Sequence, residues 1–202
     1  MLKKIFLRYV LNNSPFNNTY SKLNLLYLIN DPWQVKSSPG ERYRFLETNR
    51  LIQEYFGRNA SLLEIGCGEG HQSIYLGKVC DRLVGLDVSA RAVDRARQRF
   101  PAGKFIVGDI FTKELDSIGP FDLIVASEVL YYMEDISAAL QRIQELGNNY
   151  LITYFARKLE ILDPYILSLP GVKSDFLEFE NIRWRIAWWS KKNIMSLCPD
   201  KE

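Results

Sequence analysis

The stretch Leu62-Leu63-Glu64-Ile65-Gly66-Cys67-Gly68-Glu69-Gly70 decides how this chain is read. A short, mostly apolar strand, Leu62–Ile65, runs straight into a G-x-G-x-G turn. A second apolar run, Leu83-Val84-Gly85-Leu86, ends in Asp87, 21 positions after Gly66. A strand, a glycine turn and an acid about 20 residues further on form a nucleoside-binding unit. The glycines let the backbone approach a ligand, and an acid at the tip of the neighbouring strand accepts hydrogen bonds from a ribose diol. A dinucleotide fingerprint needs G-x-G-x-x-G. Here the third glycine arrives one position early, at Gly70, and position 71 is His71. No P-loop lysine follows, so nothing in the turn asks for a pyrophosphate.

Outward from this unit, strands and helices alternate. Strands are expected at Leu62–Ile65, Leu83–Asp87, Phe105–Val107, Phe121–Ala126 and Tyr150–Tyr154. Helices are expected at Gly70–Lys78, at Ala90–Phe100 behind a Ser89 cap, and after the Asp135 cap. A short helix or turn covers Thr112–Ile118. Upstream, Ser38-Pro39-Gly40-Glu41 reads as a helix start with a capping box, the helix running to Phe56 and ending at Gly57. Its apolar stripe is Leu51, Ile52, Tyr55 and Phe56. Alternation of this kind predicts a parallel sheet with helices on both faces and the ligand at the carboxyl ends of the strands. Glu64, Asp87, Asp109 and Ser127 all fall at those ends. In the tail, Ile182, Trp184, Ile186 and Trp188 alternate with Arg183, Arg185, Ala187 and Trp189. This period-2 pattern predicts a strand, with Asp175–Phe179 as its partner. The aromatic-basic interleaving also admits stacking on nucleic acid or sugar.

Composition narrows the class. At 202 residues, 47% hydrophobic and 13% aromatic, the chain reads as one globular domain. Within it, residues 1–57 form a cap and entry helix, 58–154 the ligand-binding core, and 155–202 the C-terminal strands. A net charge of +2 gives no electrostatic case for nucleic acid or membrane. Cys67, Cys80 and Cys198 form no C-x-x-C pair, which suits reduced thiols and a cytoplasmic location. Lys3-Lys4 and the short apolar run after them are too brief for a signal peptide, and residues 2–11 are at most an amphipathic surface contact. With one histidine and isolated cysteines, no metal site is expected.

E-x-G-x-G-x-G with a ribose acid on the next strand resembles motifs I and II of class I methyltransferases, whose methyl donor is S-adenosylmethionine. More specifically, the chain resembles the NodS-like members. Phe121-Asp122-Leu123-Ile124-Val125-Ala126-Ser127-Glu128-Val129-Leu130-Tyr131-Tyr132 looks like that family's F-D-L-I-V-x-x-E-V-L-Y-Y segment. Asp31-Pro32-Trp33, Ser38-Pro39 and Arg44 look like its D-P-W…S-P…R entry. The likeness covers roughly residues 20–135, and the C-terminal quarter is similar only in layout.

The resemblance implies a Rossmann-like, seven-stranded, mostly parallel sheet closed by an antiparallel C-terminal hairpin. It also implies roles. Gly66, Gly68 and Gly70 line the methionine moiety of S-adenosylmethionine, Asp87 holds the ribose, and Asp109 takes the adenine amine with the Ile110 amide nearby. Arg44 is a candidate for the cofactor carboxylate. Trp33 is a candidate to cover the cofactor or to stack on an acceptor sugar. Glu64, Cys67, Val88 and Ser127 complete the cofactor-facing set. The product is S-adenosylhomocysteine.

An amine or hydroxyl acceptor must lose a proton during transfer. With His71 the lone histidine, Glu128, just past the fourth strand, becomes the candidate base or ammonium-binding group; its other reading is a helix cap or salt bridge. Tyr131 and Tyr132 are candidates to orient the acceptor. The expected acceptor is a small molecule, a sugar or glycan bearing an amine or hydroxyl, with the protein a monomer or homodimer. Two other readings stay open: a nucleic-acid or protein methyltransferase, and a cofactor-binding subunit without catalysis. Against nucleobase amines, Ser127-Glu128-Val129-Leu130 stands where such enzymes carry D/N-P-P-Y.

Overall fold

The aliphatic runs form strands because alternate residues of each bury on opposite sides of one sheet. A computed structural model describes residues 19–191. In it β1 (Asn59–Ile65), β2 (Cys80–Asp87), β3 (Lys104–Val107), β4 (Phe121–Ser127) and β5 (Gly147–Phe155) run parallel. β7 (Ile182–Ser190) runs antiparallel to both β5 and β6 (Lys173–Phe179). The order across the sheet is β3-β2-β1-β4-β5-β7-β6. The helices are α1 (Thr19–Leu26), α2 (Pro39–Tyr55), α3 (Ser73–Leu76), α4 (Ala90–Arg99), α5 (Glu114–Ile118), α6 (Ile136–Leu146) and α7 (Leu159–Ile166). The expectation for residues 2–11, and Cys198, lie outside the described residues.

Two cores flank the sheet. On one face Leu62, Leu123, Val125 and Leu151 meet Leu51 and Ile52 of α2, Leu76 of α3 and Val93 of α4. On the other, Leu63, Ile65, Ile124, Ala126 and Ile152 meet Leu115 of α5, Leu140 and Ile143 of α6, and Leu162 and Ile166 of α7. Burial on both faces explains why the central strands read as apolar runs rather than as clean alternation. From β1 the chain steps outward through β2 and β3, then crosses back to place β4 on the other side of β1. That reversal opens a crevice at the carboxyl ends of β1 and β4, where α/β sheets of this kind bind ligands.

The boundaries differ from expectation in places with clear causes. The helix expected over Gly70–Lys78 contracts to α3. The Gln72 side chain makes no cap bond and its carbonyl oxygen turns to Arg44 instead. The α2 capping box is half made. Ser38 Oγ accepts from the Glu41 amide at 3.2 Å, but the Glu41 carboxylate turns to Arg44. Tyr55, placed on the buried stripe by its spacing, is exposed and lies over Trp188 with ring centroids 4.8 Å apart. β5 starts at Gly147, ahead of the expected Tyr150, because Gly147 already pairs with Phe121 of β4; a Cβ there would come within 2.8 Å of Ile124. α7 had no counterpart among the helices expected from sequence, and Pro164 lies inside it. Its burial of Leu162 and Ile166 outweighs the hydrogen bond that proline forgoes.

The tail strands form as expected. Trp188 and Trp189 are buried, so they offer no stacking surface, and Arg183 and Arg185 both pack over Phe176. Among the described residues, no helix is long and apolar enough to cross a membrane.

Candidate active site

The crevice is a cavity of about 530 Å³ at the carboxyl ends of β1 to β5. Of the residues singled out from the sequence, Trp33, Arg44, Glu64, Gly66, Cys67, Gly68, Asp87, Val88, Asp109, Ile110, Ser127, Glu128, Tyr131 and Tyr132 all line it. Gly70 does not. It sits behind the turn with φ +77°, where a Cβ would fall 3.0 Å from the Ala96 backbone, so it lets the turn pack on α4.

The turn is built by backbone geometry. Gly66 has φ +73°, and a Cβ there would meet Val129 at 2.6 Å. The Gly66 and Cys67 amides both donate to the Leu86 carbonyl, at 2.8 and 3.0 Å, tying the turn to the tip of β2. Asp87, at that tip, accepts from the Gly68 amide and the Ser89 amide, each at 2.9 Å. Burial pushes its pKa up to about 6, against those two amides, which favour the ionised form. Two fixed amides orient the carboxylate, and each oxygen keeps lone-pair capacity for a further donor. At the end of β3, Asp109 accepts from the Phe111 amide at 2.9 Å and faces the cavity half-buried.

Arg44 is buried, 4% exposed, not a surface helix residue. Its Nε donates to Glu41 at 3.1 Å, and Nη1 donates to Gln72 at 3.2 Å and to Thr153 at 3.0 Å. Its donors are therefore largely engaged within the protein. Glu64 accepts from the Ser73 hydroxyl and is fully enclosed. Burial raises its pKa to about 8, opposed by Ser73 and by the positive charge of Arg44.

Glu128 occupies the other side of the cavity, in a left-handed conformation with φ +55°. Its amide donates to the Thr153 carbonyl at 2.9 Å. Its Oε2 accepts from the Tyr131 hydroxyl and from the Phe155 amide, both at 3.1 Å. Its Oε1 is buried and has no partner. Glu128 caps no helix, since Asp135 caps α6 through the Ala138 amide. It forms no ion pair among the described residues. Burial raises its pKa to about 7, with Arg44 lowering it and Glu41 raising it. Tyr131 and Tyr132 lie beside it with rings 4.6 Å apart, and Trp33 approaches Tyr132 at 6.4 Å.

Several lining residues carried no signal in the sequence. Tyr27 sits against Gly68, Gln72 reaches the cavity from just before α3 and Lys158 from the turn after β5, while Thr153 of β5 supports the site from behind by accepting from Arg44. Glu69, the variable position inside the glycine turn, is a structural hub. Its carboxylate accepts from the Asp31 amide and from Arg95, both at 2.7 Å, and stands 3.5 Å from His71. Burial opposes its ionisation, but the neighbouring His71 and the bonds from the Asp31 amide and Arg95 outweigh it and bring its pKa down to about 2. Asp31 in turn accepts from the Val35 amide at 2.7 Å, so the D-P-W segment is fastened over the turn. His71 lies between the two carboxylates, its Nε2 3.8 Å from Asp31 and 3.5 Å from Glu69.

A Rossmann-like sheet with order 3-2-1-4-5-7-6, a glycine turn after β1 and an acid at the tip of β2 define the class I methyltransferase architecture. A family model described as Nodulation protein S (NodS) matches residues 20–158, and the chain belongs to that family. It is 37% identical over 124 residues to Nodulation protein S of Rhizobium tropici, covering 60% of this chain and 51% of that protein. It is 34% identical over 132 residues to Nodulation protein S of Sinorhizobium fredii, covering 64% and 60%. The chain thus spans between half and two thirds of these curated relatives. Among solved structures it resembles N-methyltransferase NodS from Bradyrhizobium japonicum WM9 in complex with S-adenosyl-l-homocysteine. There the TM-score is 0.67 and the identity 27%, covering 86% of this chain and 98% of that one. A magnesium protoporphyrin IX methyltransferase from Synechocystis shares the fold, with TM-score 0.64 at 16% identity.

Proposed function

We propose that this chain binds S-adenosylmethionine and transfers its methyl group to an amine on a small sugar or glycan, releasing S-adenosylhomocysteine. The observation that carries the reading is Glu128. It is a buried carboxylate with one unpartnered oxygen, in the same cavity as the glycine turn and Asp87. Asp87 would hold the ribose, Asp109 the adenine amine, and Gly66 and Gly68 the methionine portion. The family membership and the likeness to an N-methyltransferase support the same assignment.

The sulfonium supplies the driving force, so the protein's work is alignment and proton removal. The amine lone pair attacks the methyl carbon, and an N–C bond forms in line as the C–S bond breaks. The bonding pair stays on sulfur, which becomes a neutral thioether. The nitrogen's proton passes to Glu128 Oε1. A base with a pKa near the working pH is best suited to this step. Tyr131 and Tyr132 wall the acceptor side, where aromatic faces favour a sugar ring or an ammonium group.

The test is methyl transfer from labelled S-adenosylmethionine to glucosamine oligomers with a free amine, compared with their fully N-acetylated counterparts. Label on the free amines alone is expected. Equal label on the acetylated compounds would overturn the amine reading in favour of a hydroxyl.

A further inference from the structure

The cations of the cavity lining are unequally used. Arg44 is engaged by Glu41, Gln72 and Thr153. Lys158 also lines the cavity, half-buried, on the turn Ala156–Lys158 that follows β5. Its ammonium lies over the Tyr131 ring, 5.0 Å from the centroid. It makes no ion pair or hydrogen bond among the described residues. Most carboxylates that share the cavity have partners elsewhere: Glu41 has Arg44, Glu64 has Ser73, Glu69 has Arg95 and the Asp31 amide, Asp87 has two amides and Asp109 has the Phe111 amide, while Glu128 keeps one oxygen unpartnered. An ammonium set over an aromatic face, with no carboxylate partner among the described residues, keeps its charge available for an anionic ligand in the cavity.

Tyr131 links this cation to the proposed base. Its ring face carries Lys158, and its hydroxyl donates to Glu128 at 3.1 Å. The acceptor region therefore presents an unpartnered carboxylate oxygen and an unpartnered ammonium one tyrosine side chain apart. Asp87 and Asp109 follow β2 and β3, whereas Lys158 follows β5, with β1 and β4 between. The ammonium thus lies on the acceptor side rather than the nucleoside side.

We infer that Lys158 is a specificity residue, and that the acceptor carries an anionic group, a phosphate, sulfate or carboxylate, close to the amine that is methylated. This rests on the methyltransferase reading of the same cavity. Glu128 takes the nitrogen end and Lys158 the anionic end, so a zwitterionic amino sugar satisfies both.

The test uses glucosamine, glucosamine 6-phosphate and glucosamine 6-sulfate, with the wild-type chain, Lys158→Gln and Lys158→Arg. Binding of each to protein saturated with S-adenosylhomocysteine is measured by calorimetry, and turnover is measured separately. The expected result is at least tenfold tighter binding and lower KM for the phosphate or sulfate than for glucosamine. Lys158→Gln is expected to erase that preference and Lys158→Arg to keep most of it. A preference for one anion over the other identifies which the site takes. Equal binding of all three by the wild-type chain, or a preference untouched by Lys158→Gln, overturns the inference. So does a Lys158→Gln variant that loses affinity for S-adenosylhomocysteine instead, since the cation then serves the cofactor. Anion-dependent binding without turnover of any amine would instead defeat the proposed reaction and leave Lys158's role standing.

Discussion

The Tyr131 hydroxyl donates to Glu128 Oε2 at 3.1 Å, while Glu128 Oε1 stays buried without a partner. One oxygen is thus held by the protein and the other is free to take a proton. Glu128→Gln keeps the acceptor for Tyr131 and for the Phe155 amide but removes the base. We expect kcat to fall on the order of 10²–10⁴-fold, with affinity for S-adenosylhomocysteine little changed. In the wild-type chain kcat/KM should rise with pH and level off above about 7, where Glu128 is ionised. Tyr131→Phe removes a bond that favours the ionised carboxylate, so the acid limb of that profile should move to higher pH. A limb that stays in place would show that Glu128 does not control it.

Stability should depend on pH in the direction that burial of acids dictates, opposite to that of ion-paired carboxylates. Glu64, Asp87 and Glu128 have pKa values raised to about 8, 6 and 7, so between their unfolded values and these the folded state holds more protons. Stability then falls as pH rises through that window. Glu69 acts oppositely: lowered to about 2, it contributes stability above its unfolded pKa that is lost as pH falls toward 2. The ligand-free protein should therefore show its highest Tm near pH 5 and a lower Tm at pH 8. A carboxyl whose pKa rises by one on folding costs the folded state about 1.4 kcal/mol once pH exceeds both values. Glu64→Gln, which still accepts from Ser73, should flatten the decline. Scanning calorimetry from pH 4 to 8 checks this, and a Tm that climbs toward pH 8 would refute it.

Gly66 has φ +73°, and a Cβ there would press on Val129 at 2.6 Å. Gly66→Ala should cost about 1–3 kcal/mol from backbone strain alone, plus the clash. Denaturant melts should show that loss, and Val129→Ala in the same chain should recover at most part of the clash component, since the Cβ of residue 129 itself would stand 2.8 Å away.

Glu69→Ala removes the acceptor for the Asp31 amide and for Arg95. Because Arg95 and Asp31 are partly exposed, the loss should fall below the roughly 3–5 kcal/mol of a fully buried pair, and it should free the Asp31-Pro32-Trp33 segment. Faster amide exchange at residues 31–37, with β1 and β4 unchanged, is the expected signature.

The sequence made the parallel sheet legible because its strands are short apolar runs punctuated by glycine, proline and cap residues. Asp87, Asp109 and Glu128 were legible for a related reason: residues at the carboxyl ends of parallel strands share one edge wherever the helices lie. The Glu69 clamp was not, since its partners Asp31 and Arg95 come from distant segments and only tertiary packing joins them. Lys158 was hidden likewise, one basic residue among several until the fold places it over Tyr131. The expected closing of α2 by a full capping box failed because Arg44, drawn inward by Thr153 and Gln72, competes for Glu41. Pro164 masked α7, whose apolar spacing at Leu159, Leu162 and Ile166 is otherwise helical.

The central claim, a site for S-adenosylmethionine anchored by Asp87, is tested most directly by titration calorimetry with S-adenosylmethionine and S-adenosylhomocysteine on the wild-type chain and Asp87→Ala. Micromolar binding by the wild-type chain, weakened at least tenfold in Asp87→Ala while the variant stays folded, is the expected result. No binding by the wild-type chain, or equal binding by the variant, would contradict it.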